Sequence, residues 1–160
     1  MKNFVSAFLM FFVSFFAIGQ NQEISKIISL RKKNLKPIKD QIITSIEDQK
    51  NNLITISDGI WEAAETSLEE FKSSKLLIDY ARANGFEVTE NVADISTAFM
   101  ATYGSGKPVI GILGEFDANA GISQKRQPTK EARVIGGAGH GCGHNLYGTA
   151  SLGAAVAIKE

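Results

Sequence analysis

The sequence predicts an α/β fold whose first helices pack on a mixed sheet. Apolar residues recur at three- to four-residue spacing over residues 39–65 and again over 68–83, which is typical of amphipathic helices. The pattern then changes to short apolar stretches, and the continuous apolar run 108–113 suits a strand covered by helices on both faces. With 160 residues, the chain can form one domain with a sizeable core.

The composition is that of an ordinary globular protein and excludes one class of partner. Hydrophobic residues make up 44% of the chain, and 17 basic residues balance 17 acidic ones. Nucleic-acid binding would require a clustered basic face, and no basic cluster stands out in this balanced sequence. We therefore expect no nucleic-acid partner.

The first residues predict a signal peptide. Lys2 precedes an uncharged apolar run over residues 4–18, and small residues at Ala17 and Gly19 suit a signal peptidase. A membrane-spanning helix is the alternative, but the run is shorter than the roughly 20 residues that a bilayer core requires. We expect cleavage after Gly19, a mature chain of residues 20–160 in the periplasm or outside the cell, and no stable membrane anchor.

Two helices are expected to open the mature chain. The inward positions of the first are Ile42, Ile46, Leu53, Ile60 and Ala64, and those of the second are Phe71, Leu76, Leu77, Tyr80 and Ala81. Asn84 and Gly85 give the second helix a suitable C-terminal stop. Trp61 is interpreted as a core residue, because large aromatic side chains dominate core burial.

Strands are expected after this helical region. Phe86 and Val88 indicate a short strand, and residues 97–103 are expected to form a hairpin or neighbouring strands with 108–113. Glu115 and Asp117 follow the second of these runs and would share one face if the strand continued. Ligands of open α/β sheets bind beyond the carboxyl ends of strands, although solvated loop acids are the alternative interpretation. Residues 118–139 are expected to form a polar loop.

The stretch 139–145, Gly-His-Gly-Cys-Gly-His-Asn, places the only cysteine between the only two histidines. In an extended conformation His140, Cys142 and His144 would project to the same side, and adjacent members could converge on one metal ion. Thiolate and imidazole are the donors that zinc prefers. Many small residues follow the stretch, which indicates a closely packed helix.

Three alternatives compete with a metal site in this stretch. A phosphate-binding loop lacks the Gly-Lys-Ser/Thr ending and the full glycine fingerprint. A cysteine nucleophile would need a histidine aimed at its thiol, and the neighbouring histidines point beside it. An inert buried thiol is the third. A disulfide within the chain is excluded because Cys142 has no partner cysteine.

These residues resemble the metal-dependent amidohydrolases and peptidases related to aminoacylase, and within them the branch of hippurate and indole-acetyl-amino-acid hydrolases. The resemblance rests on 104–117 and on the block from Gly139 to Ser151, and it extends from about Asn51 onward. By this resemblance Cys142 and His144 match the first two metal ligands. Asp117 matches a catalytic-site acid that supports the metal without binding it. The resemblance gives His140 no role. Asn119-Ala120 replaces a Leu-Pro common in relatives, a departure that concerns the local loop shape and the fit of the substrate.

The resemblance implies that residues 20–160 are the N-terminal part of a three-layer α/β/α zinc-peptidase-like catalytic domain, which ends before the dimerisation domain and the remaining metal ligands. It also implies two divalent ions, Zn or Mn, per complete site. It also implies hydrolysis of amide bonds in N-acyl amino acids or small dipeptide-like substrates. Relatives continue with a glutamate base, further ligands and a dimerisation domain, so we expect a homo-oligomer in the full-length form and an inactive chain here. The alternative is an exported metal-binding chain without catalysis.

Overall fold

A computed structural model describes the backbone of residues 2–160 and the side chains of residues 24–26, 28–33 and 35–160. The elements in this part of the chain are α1 (Lys2–Ala63), α2 (Phe71–Ala83), β1 (Glu87–Glu90), a 3-10 helix (Val92–Asp94), β2 (Phe99–Thr102) and α3 (His144–Lys159). The chain divides into two compact units, one ending at Gln41 and one spanning Ile42–Glu160. Each unit is described by itself below.

The first unit is helical and carries exposed side chains wherever these are described. Ile28 and Ile38 are about half exposed, and Lys36 forms an exposed ion pair with Asp40 at 2.6 Å. No helix among the residues that could be searched is long and apolar enough to cross a membrane. The predicted signal peptide, residues 1–19, falls on side chains outside the described part, so it stays a prediction.

The core of the second unit lies where the C-terminal part of α1 meets α2 and α3. Its buried members are Ile56, Ile60, Leu77, Ala81 and Leu152. Both predicted N-terminal helices are confirmed, and the second ends at Ala83 as its Asn-Gly stop predicted. The expected inward position of Phe71 is wrong: this first residue of α2 is 56% exposed, and the buried face of α2 begins at Ser73.

The start of α2 is fixed by a carboxylate from the preceding loop. Glu65 accepts hydrogen bonds from the backbone N–H groups of Lys72 and Ser73, at 3.1 and 2.9 Å, and from the Ser73 hydroxyl at 2.8 Å. The first N–H groups of a helix lack partners within the helix, and a negative charge there is stabilising. Glu65 therefore defines how the 64–70 loop enters α2.

The strands form a two-stranded antiparallel sheet in which Val88 faces Ala101. The strand predictions at 86–88 and 97–103 are thereby confirmed. The prediction of a strand at 108–113 is wrong. Within residues 2–160 this run pairs neither with the predicted partner at 97–103 nor with the other strand, and Val109 and Ile110 are 85% and 76% exposed. Its apolar composition signals burial, but no strand in this part of the chain pairs with it, and Ile112 and Leu113 are also exposed. The three-layer fold class stays a prediction.

Helix α3 packs closely because glycines remove side chains at its contacts. A Cβ at Gly148 would lie 2.7 Å from the Glu115 carbonyl oxygen, and one at Gly153 would lie 2.9 Å from Leu53. The predicted small-residue helix is confirmed, and it begins at His144. The approach at Gly148 places the segment carrying Glu115 directly against α3.

Trp61 is only partly buried, which corrects its interpretation as a core residue. The guanidinium groups of Arg126 and Arg133 lie 4.4 and 5.1 Å from the centroid of its ring. The same arginines pair with Asp58 at 3.1 Å and Glu62 at 2.8 Å. Cation–π contacts and ion pairs therefore fasten the 118–139 loop to α1.

We expect Gly148→Ala to lower the free energy of unfolding by about 1–3 kcal/mol, because the new methyl group meets backbone that cannot rotate away. Gly153→Ala is the matched control in the same helix. Its methyl group meets only the end of the flexible Leu53 side chain, while alanine favours the helix by about 1 kcal/mol. Urea denaturation followed by Trp61 fluorescence measures both, and equal effects would contradict the assigned contact.

We expect the mature chain, residues 20–160, to self-associate through its exposed 108–113 run, because unpaired apolar strand-like segments add to one another. Lysine at both Val109 and Ile110 should shift it toward monomer in sedimentation velocity. Ile135→Lys, which removes a 96% exposed side chain elsewhere, should not. A sharp cooperative unfolding transition in a monomeric preparation of the unsubstituted chain would contradict this expectation.

Candidate metal centre

The central contact of the candidate site joins His144 to Asp117. His144 is the first residue of α3, and its Nδ1 lies 2.8 Å from Asp117 Oδ1. A carboxylate oxygen can only accept, so the ring nitrogen is the donor. The structure therefore brings together two of the three residues that the resemblance assigns to the site.

Glu115 reaches the other nitrogen of the same ring. Its Oε2 lies 3.1 Å from His144 Nε2, and its side chain is half exposed. Phe116, between the two acids, packs against Phe99 with ring centroids 6.1 Å apart. The strand on which their shared face was conditional is not formed, yet Glu115 and Asp117 both contact the His144 ring, one at each nitrogen.

Ser67 supports Asp117 and was not predicted from the sequence. Its hydroxyl donates to Asp117 Oδ2 at 2.9 Å across a separation of 50 residues. The 64–70 loop, which carries Ser67, also contacts the segment that carries Asp117 through a second hydrogen bond. The Ala118 N–H donates to the Glu65 carbonyl at 2.7 Å. Two residues of this loop, Ala64 and Leu68, have positive φ values of 45° and 71°. Such conformations cost about 1–3 kcal/mol each and persist where the surroundings enforce them.

These hydrogen bonds set the charge of Asp117. Burial by itself raises the pKa of this carboxyl, but hydrogen bonds from His144 and Ser67 outweigh burial and hold the pKa below its ordinary value of 3.8. Asp117 is therefore ionised at neutral pH. An ionised carboxylate on Nδ1 fixes the ring orientation and the position of its proton.

His140 has a different role from His144. The chain turns at 140–143, where the Gly143 N–H bonds to the His140 carbonyl at 3.2 Å and Gly143 adopts a φ of +73°. The extended geometry considered for this stretch is therefore wrong, because glycine makes the turn accessible. His140 Nε2 lies 3.0 Å from the Ile60 carbonyl, to which it donates. Desolvation lowers the pKa of His140 and favours the neutral ring.

Cys142 lies on this turn, exposed and free. The alternative of an inert buried thiol is therefore wrong. Its exposure leaves it accessible to a ligand, but no group of three or more His, Cys, Asp or Glu in the part of the chain that could be searched is gathered as if around a metal ion. The ligand roles of Cys142 and His144, and the supporting role of Asp117, stay predictions.

Two further contacts hold the turn in place. Asn145 Nδ2 donates to Ser57 Oγ at 3.0 Å, which fastens the start of α3 to α1. Asn119 and Gly139 exchange backbone hydrogen bonds of 2.9 and 3.0 Å, which close the two ends of the 118–139 loop. The turn is thereby held next to the segment that carries the two acids.

An imidazole between two carboxylates, beside a free thiol at a helix N-terminus, has the donor types of a metal centre that binds zinc-like ions. Comparison with known proteins relates this arrangement to a hydrolase. The chain is similar to one of the subunits of p-aminobenzoyl-glutamate hydrolase from Escherichia coli (strain K12), with 47% identity over 117 residues. This confirms the resemblance predicted from the sequence, since residues 104–117 and 139–151 are, within that family, particularly similar to this subunit. No family model matches the chain.

The match covers 72% of this chain and 24% of the relative. The chain therefore spans about a quarter of the length of the curated relative that it matches. The activity and substrates of the relative come to this chain only as a proposal.

We expect Ser67→Ala to raise the pKa of Asp117, because one of the two side-chain hydrogen bonds that lower it is lost. Ser67→Thr keeps the hydroxyl and should restore the low pKa. The side-chain carboxyl carbon shift of Asp117, followed by NMR in a pH titration without metal, measures both variants. Stability from this lowered pKa is present above pH 3.8 and is lost as pH falls through the folded pKa, so in Ser67→Ala the total loss should be smaller and should be complete at a higher pH. Identical titrations would show that Ser67 does not act on Asp117.

Proposed function

We propose that this chain carries part of the metal centre of a metal-dependent amidohydrolase. Its substrates would be N-acyl amino acids or small dipeptide-like amides, of the aminobenzoyl-glutamate type that the relative's name describes. The observation that carries the proposal is the 2.8 Å contact between Asp117 and His144. It supplies the carboxylate–histidine pair that orients metal-binding imidazoles.

The donor set fits a divalent ion such as zinc or manganese. With its Nδ1 proton held by Asp117, a neutral His144 presents a lone pair on Nε2. Cys142 adds an accessible thiol two residues away, which binds metals as the thiolate. Imidazole and thiolate together favour zinc, and the neighbouring carboxylates broaden the choice toward manganese.

The residues of the chain would prepare the site for amide hydrolysis. The bound ions would polarise the amide carbonyl and lower the pKa of a water molecule toward about 7. Asp117 keeps His144 in one tautomer, and Ser67 keeps Asp117 in place. The two acids make the site electronegative, which disfavours the phosphate-loop alternative.

Three further features belong to the same proposal. We propose that catalysis requires a longer form, since the matched segment is only 24% of the relative. We also propose that this longer form is a homo-oligomer, because relatives in the family carry a dimerisation domain; the name of the relative, a subunit, supports assembly in general. Export through residues 1–19 is proposed from the charged and apolar pattern of that segment.

We expect Cys142→Ser and His144→Gln each to weaken zinc or manganese binding by at least about 10- to 100-fold, which is the loss that supporting residues alone produce. Metal content and affinity of the 160-residue chain and of an extended form measure this. Ser105→Ala, on an exposed turn, is the control. If the extended form holds no metal, or if Cys142→Ser leaves metal content and amide hydrolysis unchanged, the assignment fails. Metal binding without hydrolysis in the extended form would support the exported metal-binding alternative.

A further inference from the structure

Glu115 has no role in the site assigned so far, yet it contacts the nitrogen on which metal binding depends. Its Oε2 lies 3.1 Å from His144 Nε2, while Asp117 occupies Nδ1 at 2.8 Å. The imidazolium form would donate to both carboxylates, but a metal binds only the neutral ring, which has one N–H and can donate to only one of them. The other carboxylate then faces the lone pair of the ring.

The Nδ1 proton belongs with Asp117. This contact is the shorter of the two, and the Asp117 side chain is 25% exposed against 50% for Glu115. Ser67 also fixes Asp117 from the other oxygen. With the proton on Nδ1, the Nε2 lone pair and the Glu115 oxygen are two electron-pair donors 3.1 Å apart.

Two donors at this separation match neighbouring ligands of one metal ion. Nitrogen and oxygen ligands at about 2.0–2.2 Å from zinc lie roughly 3.0–3.5 Å apart for angles between square and tetrahedral. We propose that Glu115 is a carboxylate ligand of the same divalent ion as His144, with Asp117 orienting the ring. This inference rests on the proposed function.

The fold holds Glu115 at this position. A Cβ added at Gly148 would lie 2.7 Å from the Glu115 carbonyl oxygen. The backbone of Glu115 therefore packs directly against the backbone of α3. Phe116 is fixed against Phe99. Only the side chain of Glu115 is free to adjust, and a ligand needs that freedom to complete its bond.

The test compares affinities for zinc in the full chain, measured by calorimetry with a competing chelator. Glu115→Gln should raise the Kd roughly 10- to 100-fold or more, since a ligand contributes at least as much as a supporting residue. Glu115→Asp keeps a carboxylate, so its Kd should lie between that of the unsubstituted chain and that of Glu115→Gln. Glu131→Gln is the matched control, because Glu131 is an exposed acid on the 118–139 loop and should leave the Kd unchanged.

A second readout separates a ligand from a nearby charge. Cobalt(II) bound in place of zinc absorbs in the visible range, and its bands depend on the ligand set. Glu115→Gln should shift these bands, whereas loss of a distant charge changes affinity alone. Unaltered bands and an unaltered Kd in Glu115→Gln, with binding lost in His144→Gln, would overturn this inference and leave the proposed function standing. If neither the unsubstituted chain nor its extended form binds either ion, both fall.

Discussion

The hydrogen bond between His144 and Asp117 is the contact on which the candidate site depends. It joins two segments 27 residues apart and draws the glycine-rich turn onto the segment that carries both acids. A charge-assisted hydrogen bond of this length is roughly twice as strong as a neutral one when the ring is polarised toward the carboxylate. Without it, His144 would have one contact to a half-exposed acid and no fixed tautomer.

Much of the surrounding structure maintains that contact. Helix α3 places His144 at its first residue, and Gly148, one turn later, lets the backbone of Glu115 approach. From the other side, the strained loop around Ser67 binds Asp117 through both a side chain and the backbone of its neighbour. Because each of these supports comes from a different part of the chain, the acid and the imidazole are oriented by tertiary structure rather than by local sequence.

The dependence of the site on tertiary contacts explains which features the sequence alone predicted and which it did not. The periodicity of apolar residues predicted the helices, and Asn84 and Gly85 predicted the end of α2, because these signals depend only on neighbouring residues. The apolar run at 108–113 signals burial without specifying a partner, so a strand was expected where no paired edge exists in residues 2–160. Ser67 gave no signal, since an ordinary loop serine acquires its role only by meeting Asp117 across 50 residues. The ligand roles of Cys142 and His144 stay predictions, and the turn between these residues, which periodicity did not indicate, depends on the positive φ of Gly143.

Charge balance connects these observations. Glu115 and Asp117 place two negative charges on one imidazole, and the arginines of the nearby loop are engaged at Trp61, Asp58 and Glu62. Like charges held close together are unfavourable unless a cation or a proton lies between them. A divalent ion at Nε2 would balance both carboxylates while leaving the Asp117 hydrogen bond intact. The half-exposed position of Glu115 keeps that place open to solvent, so an ion could enter without unfolding the turn.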